Sequence, residues 1–246
     1  MLLVGNWKMS PDTLEEALML AKETGVIAKK NKNTIVVCPP YIYLGEIGKK
    51  TKVLFGAQAV SPHLEMPHTG EVSAKMLQKL GASYTIVGHS ERRSAGFETN
   101  DIVAQNTLRL IEKKIRPIIC VGEKSRDTKG AYLLFVKEQI VSAIALVPKT
   151  KIKELVFAYE PVWAIGSHAT RPATVEECRE MIIFIRKTLA DAVGEKVANI
   201  IPVLYGGSVD EQNAKNFLSE GGAHGLLVGR VSTDIKKFTS LIQSIS

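Results

Sequence analysis

Eight short runs of apolar and often β-branched residues punctuate the chain: LLVGNW (2–7), TIVVC (34–38), VLFGAQ (53–58), YTIVG (84–88), PIICVG (117–122), ELVFAYE (154–160), IIPVLYGG (200–207) and HGLLVG (224–229). Their apolar character is nearly continuous rather than alternating, which suits parallel strands buried on both faces. Between the runs the period changes. Leu14, Ala17, Leu18 and Ala21 recur at helical spacing, as do Cys178, Met181, Ile182 and Ile185. An oxygen-bearing residue followed three positions later by glutamate marks three helix starts, Thr13 with Glu16, Thr174 with Glu177, and Ser208 with Glu211. Strand and helix patterns alternate without a Gly/Ser linker or low-complexity segment, which predicts an α/β fold: a closed (β/α)8 barrel, a single domain over residues 1–246. A doubly wound open sheet shares the alternation, but no G-x-G-x-x-G follows the first strand.

Composition narrows this picture only a little. At 246 residues and 45% hydrophobic, the chain can bury one large core. Its formal charge of +7 is carried in part by lysines such as Lys29, Lys30 and Lys32, interspersed with polar residues near helix ends. That pattern predicts an ordinary solvated surface with some benefit for anionic substrates and no nucleic-acid partner. The three cysteines, Cys38, Cys120 and Cys178, are widely spaced in apolar surroundings and form neither a disulfide framework nor a metal spacing. A reducing, cytoplasmic location follows as the expectation. No apolar run approaches the roughly 20 residues that cross a bilayer and no signal-peptide pattern opens the chain, so no membrane association is expected.

In a (β/α)8 barrel the residues that follow each strand converge on one mouth. Those positions hold Asn6 and Lys8 after the first strand, His89 and Glu91 after the fourth, and Glu160 at the end of the sixth. The seventh and eighth strands run into YGGSV (205–209) and LVGR (227–230). Singly each is unremarkable: a lysine is usually surface, a histidine packs or caps, and paired glycines make turns. Their coincidence at one face points to chemistry. A carboxylate in front of a loop that is first apolar (Val162, Trp163, Ile165) and then small and polar suits a base whose neighbours exclude water when that loop closes. A neutral N–H from His89 and the charge of Lys8 would stabilise a developing oxyanion, and Asn6 would orient either. Gly206, Gly207 and Ser208, read as opening a helix, together with Gly229 at the end of the eighth strand, would present N–H groups to a phosphate. No His/Asp/Glu cluster at ligand spacing argues for a metal, and the chemistry requires no cofactor.

The segments GNWKM (5–9), TGEVSAKML (69–77), VGHSERR (87–93), CVGE (120–123), YEPVWAIG (159–166) and YGGSV (205–209) resemble the triosephosphate isomerase family, in order and spacing along the whole chain. The resemblance implies a TIM barrel that interconverts dihydroxyacetone phosphate and D-glyceraldehyde 3-phosphate through an enediolate, in glycolysis and gluconeogenesis. It puts Lys8, His89 and Glu160 at the catalytic positions, with Asn6 and Glu91 supporting. It puts the substrate phosphate at Gly166, Gly206, Gly207, Ser208 and Gly229. A glutamate base, a neutral histidine and a closing loop are properties of the resembled family. The family's loop after the third strand docks in a partner subunit, which implies a homodimer through residues 61–73.

Three places depart from that pattern. SHATR (167–171) is two residues longer than the family's TGK tip and lacks its glycine; Arg230 stands where a second glycine is usual; and Ala95, Gly96 and Phe97 invert the usual aromatic-then-glycine order. Arg230 either strains its backbone, if that position needs positive φ, or turns its side chain to the phosphate. A sugar-phosphate binder with impaired turnover, or a related isomerase of altered specificity, shares the same motifs.

Overall fold

The computed structural model describes residues 1–63, 68–166 and 169–245. Eight parallel strands follow one another around a closed barrel: β1 (Leu2–Asn6), β2 (Thr34–Cys38), β3 (Leu54–Ala57), β4 (Tyr84–Val87), β5 (Arg116–Val121), β6 (Val156–Tyr159), β7 (Val203–Tyr205) and β8 (Gly225–Val228), with β8 pairing back to β1. Outside them lie α1 (Leu14–Lys30), α2 (Tyr41–Lys50), α3 (Ala74–Leu80), α4 (Ser90–Ser94), α5 (Asn100–Glu112), α6 (Ala131–Ile144), α7 (Val175–Val193), α8 (Glu195–Ile200), α9 (Ala214–Ser219) and α10 (Ile235–Ser244). Each of the eight apolar runs marks one strand, trimmed by a residue or more at most ends, with β5 starting one residue ahead of its run at Arg116.

Two separate apolar layers explain why the runs do not alternate. Leu2, Val4, Val36, Cys38, Tyr84, Ile86, Ile118, Cys120, Val156, Ala158, Leu204 and Leu227 pack only with one another and fill the barrel. The intervening residues, such as Leu3, Ile35, Ile119, Phe157 and Tyr205, join the helices in an outer core. Successive side chains on a strand point to opposite faces, and here both faces are dry.

The helices obey their local signals in most places. Thr13 and Thr174 form full capping boxes with Glu16 and Glu177. Ala17, Leu20, Ala21 and Thr24 are the buried face of α1, with Leu14 at its exposed rim, and Cys178, Met181, Ile182 and Ile185 are buried in α7. The third box does not form. The Ser208 hydroxyl donates instead to the carbonyl of Ala164 at 3.1 Å, and α9 begins only at Ala214. Asp210 takes the capping part by accepting N–H bonds from Gln212 and Asn213, each at 3.0 Å. Gly206, Gly207 and Ser208 therefore form an extended turn and do not open a helix, because an aspartate two residues on satisfies the next free N–H groups better than Ser208 can.

Candidate active site

The inward parity of the strands places the site. On β6, Val156 and Ala158 point into the barrel, so Glu160 is the next inward residue, and its N–H continues the ladder to Val121 O at 2.8 Å. The same parity carries Val4 to Asn6, Leu204 to Gly206 and Leu227 to Gly229. Gly206 has to be small here, since a Cβ on it would stand 3.1 Å from Cγ of Glu160. The mouth is thus a continuation of the barrel interior with polar residues replacing apolar ones.

Glu160 is 2% exposed. Its Oε2 accepts the N–H of Ser90 at 2.9 Å, and its Oε1 lies 3.1 Å from Nε2 of His89. His89 is the N-cap of α4, where its Nδ1 accepts the N–H of Glu91 at 3.3 Å. A nitrogen that accepts carries no proton, so the ring is neutral and its N–H is on Nε2, the atom directed into the mouth. Glu91 also pairs through Oε1 with the ammonium of Lys8. Burial pushes the Glu91 carboxyl up, but the hydrogen bond and charge of Lys8 outweigh it and hold the group below the usual carboxylate range.

Lys8 reaches this position through an unusual backbone, with φ of 52°. Left-handed backbone costs a non-glycine residue about 1–2 kcal/mol, and two neighbours hold it. Asn6 Oδ1 accepts the N–H of Lys8 at 3.2 Å, and Gln58 donates through Nε2 to the Lys8 carbonyl at 2.8 Å and to the Cys38 carbonyl at 2.9 Å. Asn6 thus orients Lys8. Gln58 went unnoticed in the sequence because it ends an apolar strand run and has no local signature.

Two other clusters were missed for the same reason. Buried Glu98 accepts the N–H of Gly88 and, at 2.8 Å, Nε of Arg92, while Arg93 donates to the Gly88 carbonyl at 2.7 Å. Both polar groups of Gly88, the residue before His89, are fixed by side chains of the loop and short helix that follow it. Behind Glu160, buried Glu123 accepts the hydroxyl of Tyr159 and Nε1 of Trp163, each at 2.9 Å, and Nε of Arg126 at 3.0 Å. Arg171 lies over the Trp163 ring at 4.4 Å and forks onto Glu177. The loop after β6 is pinned at its base by Thr170 N–H to Trp163 O at 2.9 Å. Gly166 has a φ of 72° in open space, and of SHATR, Ser167 and His168 lie outside the described residues.

At the other side of the mouth, the N–H groups of Gly207, Ser208, Gly229 and Arg230 meet no acceptor among the described residues. Such donors on two adjacent βα turns suit an oxyanion. Arg230 opens a short 3-10 helix, Arg230–Thr233, and is not among the residues of positive φ. The strained reading of Arg230 therefore falls. Its side chain is exposed and free of ion pairs among the described residues. Loop four tolerates its inverted order because Gly96 takes the left-handed turn, with φ of 78°, and Phe97 lies under the Arg92 guanidinium. Among the described residues no group of three His, Cys, Asp or Glu side chains is arranged to hold a metal ion.

Comparison with known proteins agrees with this arrangement. The family model described as triosephosphate isomerase matches residues 1–245. The triosephosphate isomerase of Thermus thermophilus is 40% identical over 246 residues, covering 98% of this chain and 97% of its own. That of Clostridium botulinum is 37% identical and that of Caldanaerobacter subterraneus 36%, each covering 98% of both chains. A match from end to end, carried by a barrel whose inward positions turn polar only at its mouth, means that the chain belongs to the triosephosphate isomerase family.

Proposed function

We propose that Glu160 is the base with which this aldose–ketose isomerase interconverts dihydroxyacetone phosphate and D-glyceraldehyde 3-phosphate. The carrying observation is the facing pair at the mouth: a buried carboxylate 3.1 Å from the protonated nitrogen of a neutral histidine. Glu160 removes the proton from the carbon beside the carbonyl, leaving an enediolate, and returns it to the neighbouring carbon. Its present bonds to Ser90 and His89 hold it ready, and it gives them up when a substrate C–H takes their place. His89 then turns its Nε2–H to the enediolate oxygens, with the Lys8 ammonium supplying fixed charge. Glu91 and Asn6 keep Lys8 in place. Gly166, Gly206, Gly207, Ser208, Gly229 and Arg230 face the phosphate, chiefly through backbone N–H groups. None of these steps calls on a cofactor.

A coupled assay with glyceraldehyde 3-phosphate tests the assignment. Glu160→Gln keeps the size but not the base, its amide offering one acceptor oxygen where the carboxylate offers two, and a positioned base contributes about 10²–10⁴-fold. The variant should lose that much of kcat while folding normally. Near-wild-type turnover would remove Glu160 from the role.

The chain works as one domain, since one barrel takes strands from Leu2 to Val228. It acts in the cytoplasm as a homodimer. Three free, buried cysteines suit a reducing compartment, and no described helix is long and apolar enough to cross a membrane. For the dimer, the connection 61–73 is too long for a minimal βα turn, although residues 64–67 lie outside the described ones. Its base is closed by Ser61 N–H to Val72 O at 2.9 Å. Met9 and Phe97, from the first and fourth βα connections, and Ile42, in the first turn of α2, are 90%, 64% and 78% exposed, an apolar set that a second copy would cover.

A further inference from the structure

The opposite end of the barrel, where the strands begin, holds a cavity of about 230 Å3. Leu2, Thr34, Tyr84, Arg116, Pro202 and His224 are among the residues that line it. Leu2, Thr34, Tyr84 and Arg116 open β1, β2, β4 and β5, and His224 immediately precedes β8, so distant parts of the chain meet there.

Arg116 is half-buried, and every acceptor it has among the described residues is neutral. Its Nε donates to the Glu154 carbonyl at 3.1 Å and its Nη1 to the Tyr84 hydroxyl at 3.3 Å, with the guanidinium 5.5 Å from the Tyr84 ring centre. Arg186 repeats the pattern beside His224. It donates to the carbonyls of Ala198 at 2.5 Å and Ile201 at 3.4 Å, and its Nη2 lies 3.1 and 3.2 Å from the two ring nitrogens of His224. Neither arginine has a carboxylate within ion-pair distance among the described residues, and no Asp or Glu lines the cavity. Elsewhere in the chain Arg92, Arg109, Arg126 and Arg171 all pair with glutamates. Two guanidinium groups at one end of the barrel are thus held only by neutral acceptors among the described residues, and a half-buried charge without a counter-ion is destabilising.

The size of the cavity restricts what could supply that counter-charge. A cavity of this size has room for a tetrahedral oxyanion or a short carboxylate together with waters. The walls add the Thr34 and Tyr84 hydroxyls as hydrogen-bonding partners and Leu2, Ile200 and Pro202 as apolar surface.

We propose that this cavity is a second anion site, remote from the reacting mouth, in which Arg116 anchors a small oxyanion such as a phosphate group or a short carboxylate. Charge-assisted bonds to a guanidinium fork give the site its preference for planar or tetrahedral oxygen groups. Because the occupant binds the folded barrel and not the unfolded chain, it stabilises the protein by mass action. It does not compete with the triose phosphate, which enters at the other end of the strands.

Inorganic phosphate titrated into the whole protein, with backbone amide resonances followed by NMR, decides the matter. Saturable shifts at Leu2, Thr34, Arg116 and Gly225 are expected, with a midpoint distinct from that of Gly207 and Gly229 at the mouth. Arg116→Met keeps the apolar stem and should weaken the first set at least tenfold, leaving the second set and kcat/KM unchanged. Shifts confined to Gly207 and Gly229 in the wild-type protein overturn the proposal, and that result needs no variant. So do shifts at the strand starts that keep their midpoint in Arg116→Met. Malonate in place of phosphate identifies the source: saturation of the same amides by both anions supports a general oxyanion site, and saturation by phosphate alone supports one restricted to phosphate.

Discussion

At the scale of single residues, the mouth is built by the inward parity of the strands and departs from it at two residues of positive φ. Glu160 and Asn6 obey the inward parity of their strands, so their direction follows from the alternation of β6 and β1. His89 and Lys8 do not. Gly88 has a φ of 70° and Lys8 a φ of 52°, and each turns the chain out of register so that the side chain meets Glu160 or Glu91. All four are readable as residues that follow a strand, but the direction of the second pair is set by these two backbone turns. The neutral tautomer of His89, set by the Glu91 N–H, leads to a prediction at this scale. His89→Gln exchanges the fixed imidazole N–H for a longer, flexible amide donor without its capping contact and alters nothing that touches phosphate, so kcat should fall steeply while the inhibition constant of inorganic phosphate changes little. Steady-state kinetics check this, and an effect confined to KM would count against the electrophilic role.

At the scale of elements, helix starts and βα turns carry the differences between expectation and structure. Thr174 caps α7 as its spacing predicts, and the same Glu177 that completes the box also binds Arg171. The hydrogen bond from Arg171, ahead of the opposing effect of burial, holds the Glu177 carboxyl at about 2, well under its ordinary 4.5. A carboxyl lowered in the folded state contributes stability above its unfolded pKa and loses it as the pH falls through the folded one. The contribution of Glu177 is therefore complete above about 4.5 and drains away toward about 2. Glu177→Gln keeps the capping oxygen and removes the charge, so its melting temperature should fall less between pH 5 and pH 2 than that of the wild type. Parallel curves would show that the pair contributes nothing. Ser208 was misread as a cap because S-x-x-E occurs there by composition, and only the fold reveals that Ala164 is the nearer partner. Arg230 has unstrained backbone and an exposed side chain without an ion pair among the described residues, and it follows Gly229 on a turn whose N–H groups meet no acceptor among them. Arg230→Ala should weaken phosphate binding more than Arg230→Lys, and the loss should shrink as salt rises past a Debye length of about 8 Å at physiological strength. Titration with a phosphate-bearing substrate analogue at low and high salt measures both; unchanged affinity at low salt would leave Arg230 a surface residue.

At the scale of the molecule, Met9, Ile42 and Phe97 expose apolar area around the mouth, and Lys8 stands one residue from Met9. A second copy that covers this surface would also shield Lys8 and Glu91, so association and activity should rise together. Light scattering at micromolar concentration should give a dimer, and monomer alone would reject it. What the amino-acid sequence determined by itself was periodic or contiguous: eight buried strands, the helices between them, two capping boxes, and a set of polar residues, proposed above as catalytic, whose members each follow a strand. These features depend on neighbours three or four positions away, or on alternation along one strand, so local chemistry suffices. Tertiary structure alone decided which side chains meet across the barrel. Gln58 holding Lys8, Glu123 gathering Tyr159 and Trp163, and Arg116 donating to the Glu154 carbonyl all join residues far apart in the chain. Such pairings carry no periodic signal, because they are fixed only when closure of the barrel brings the ends of different strands to one place.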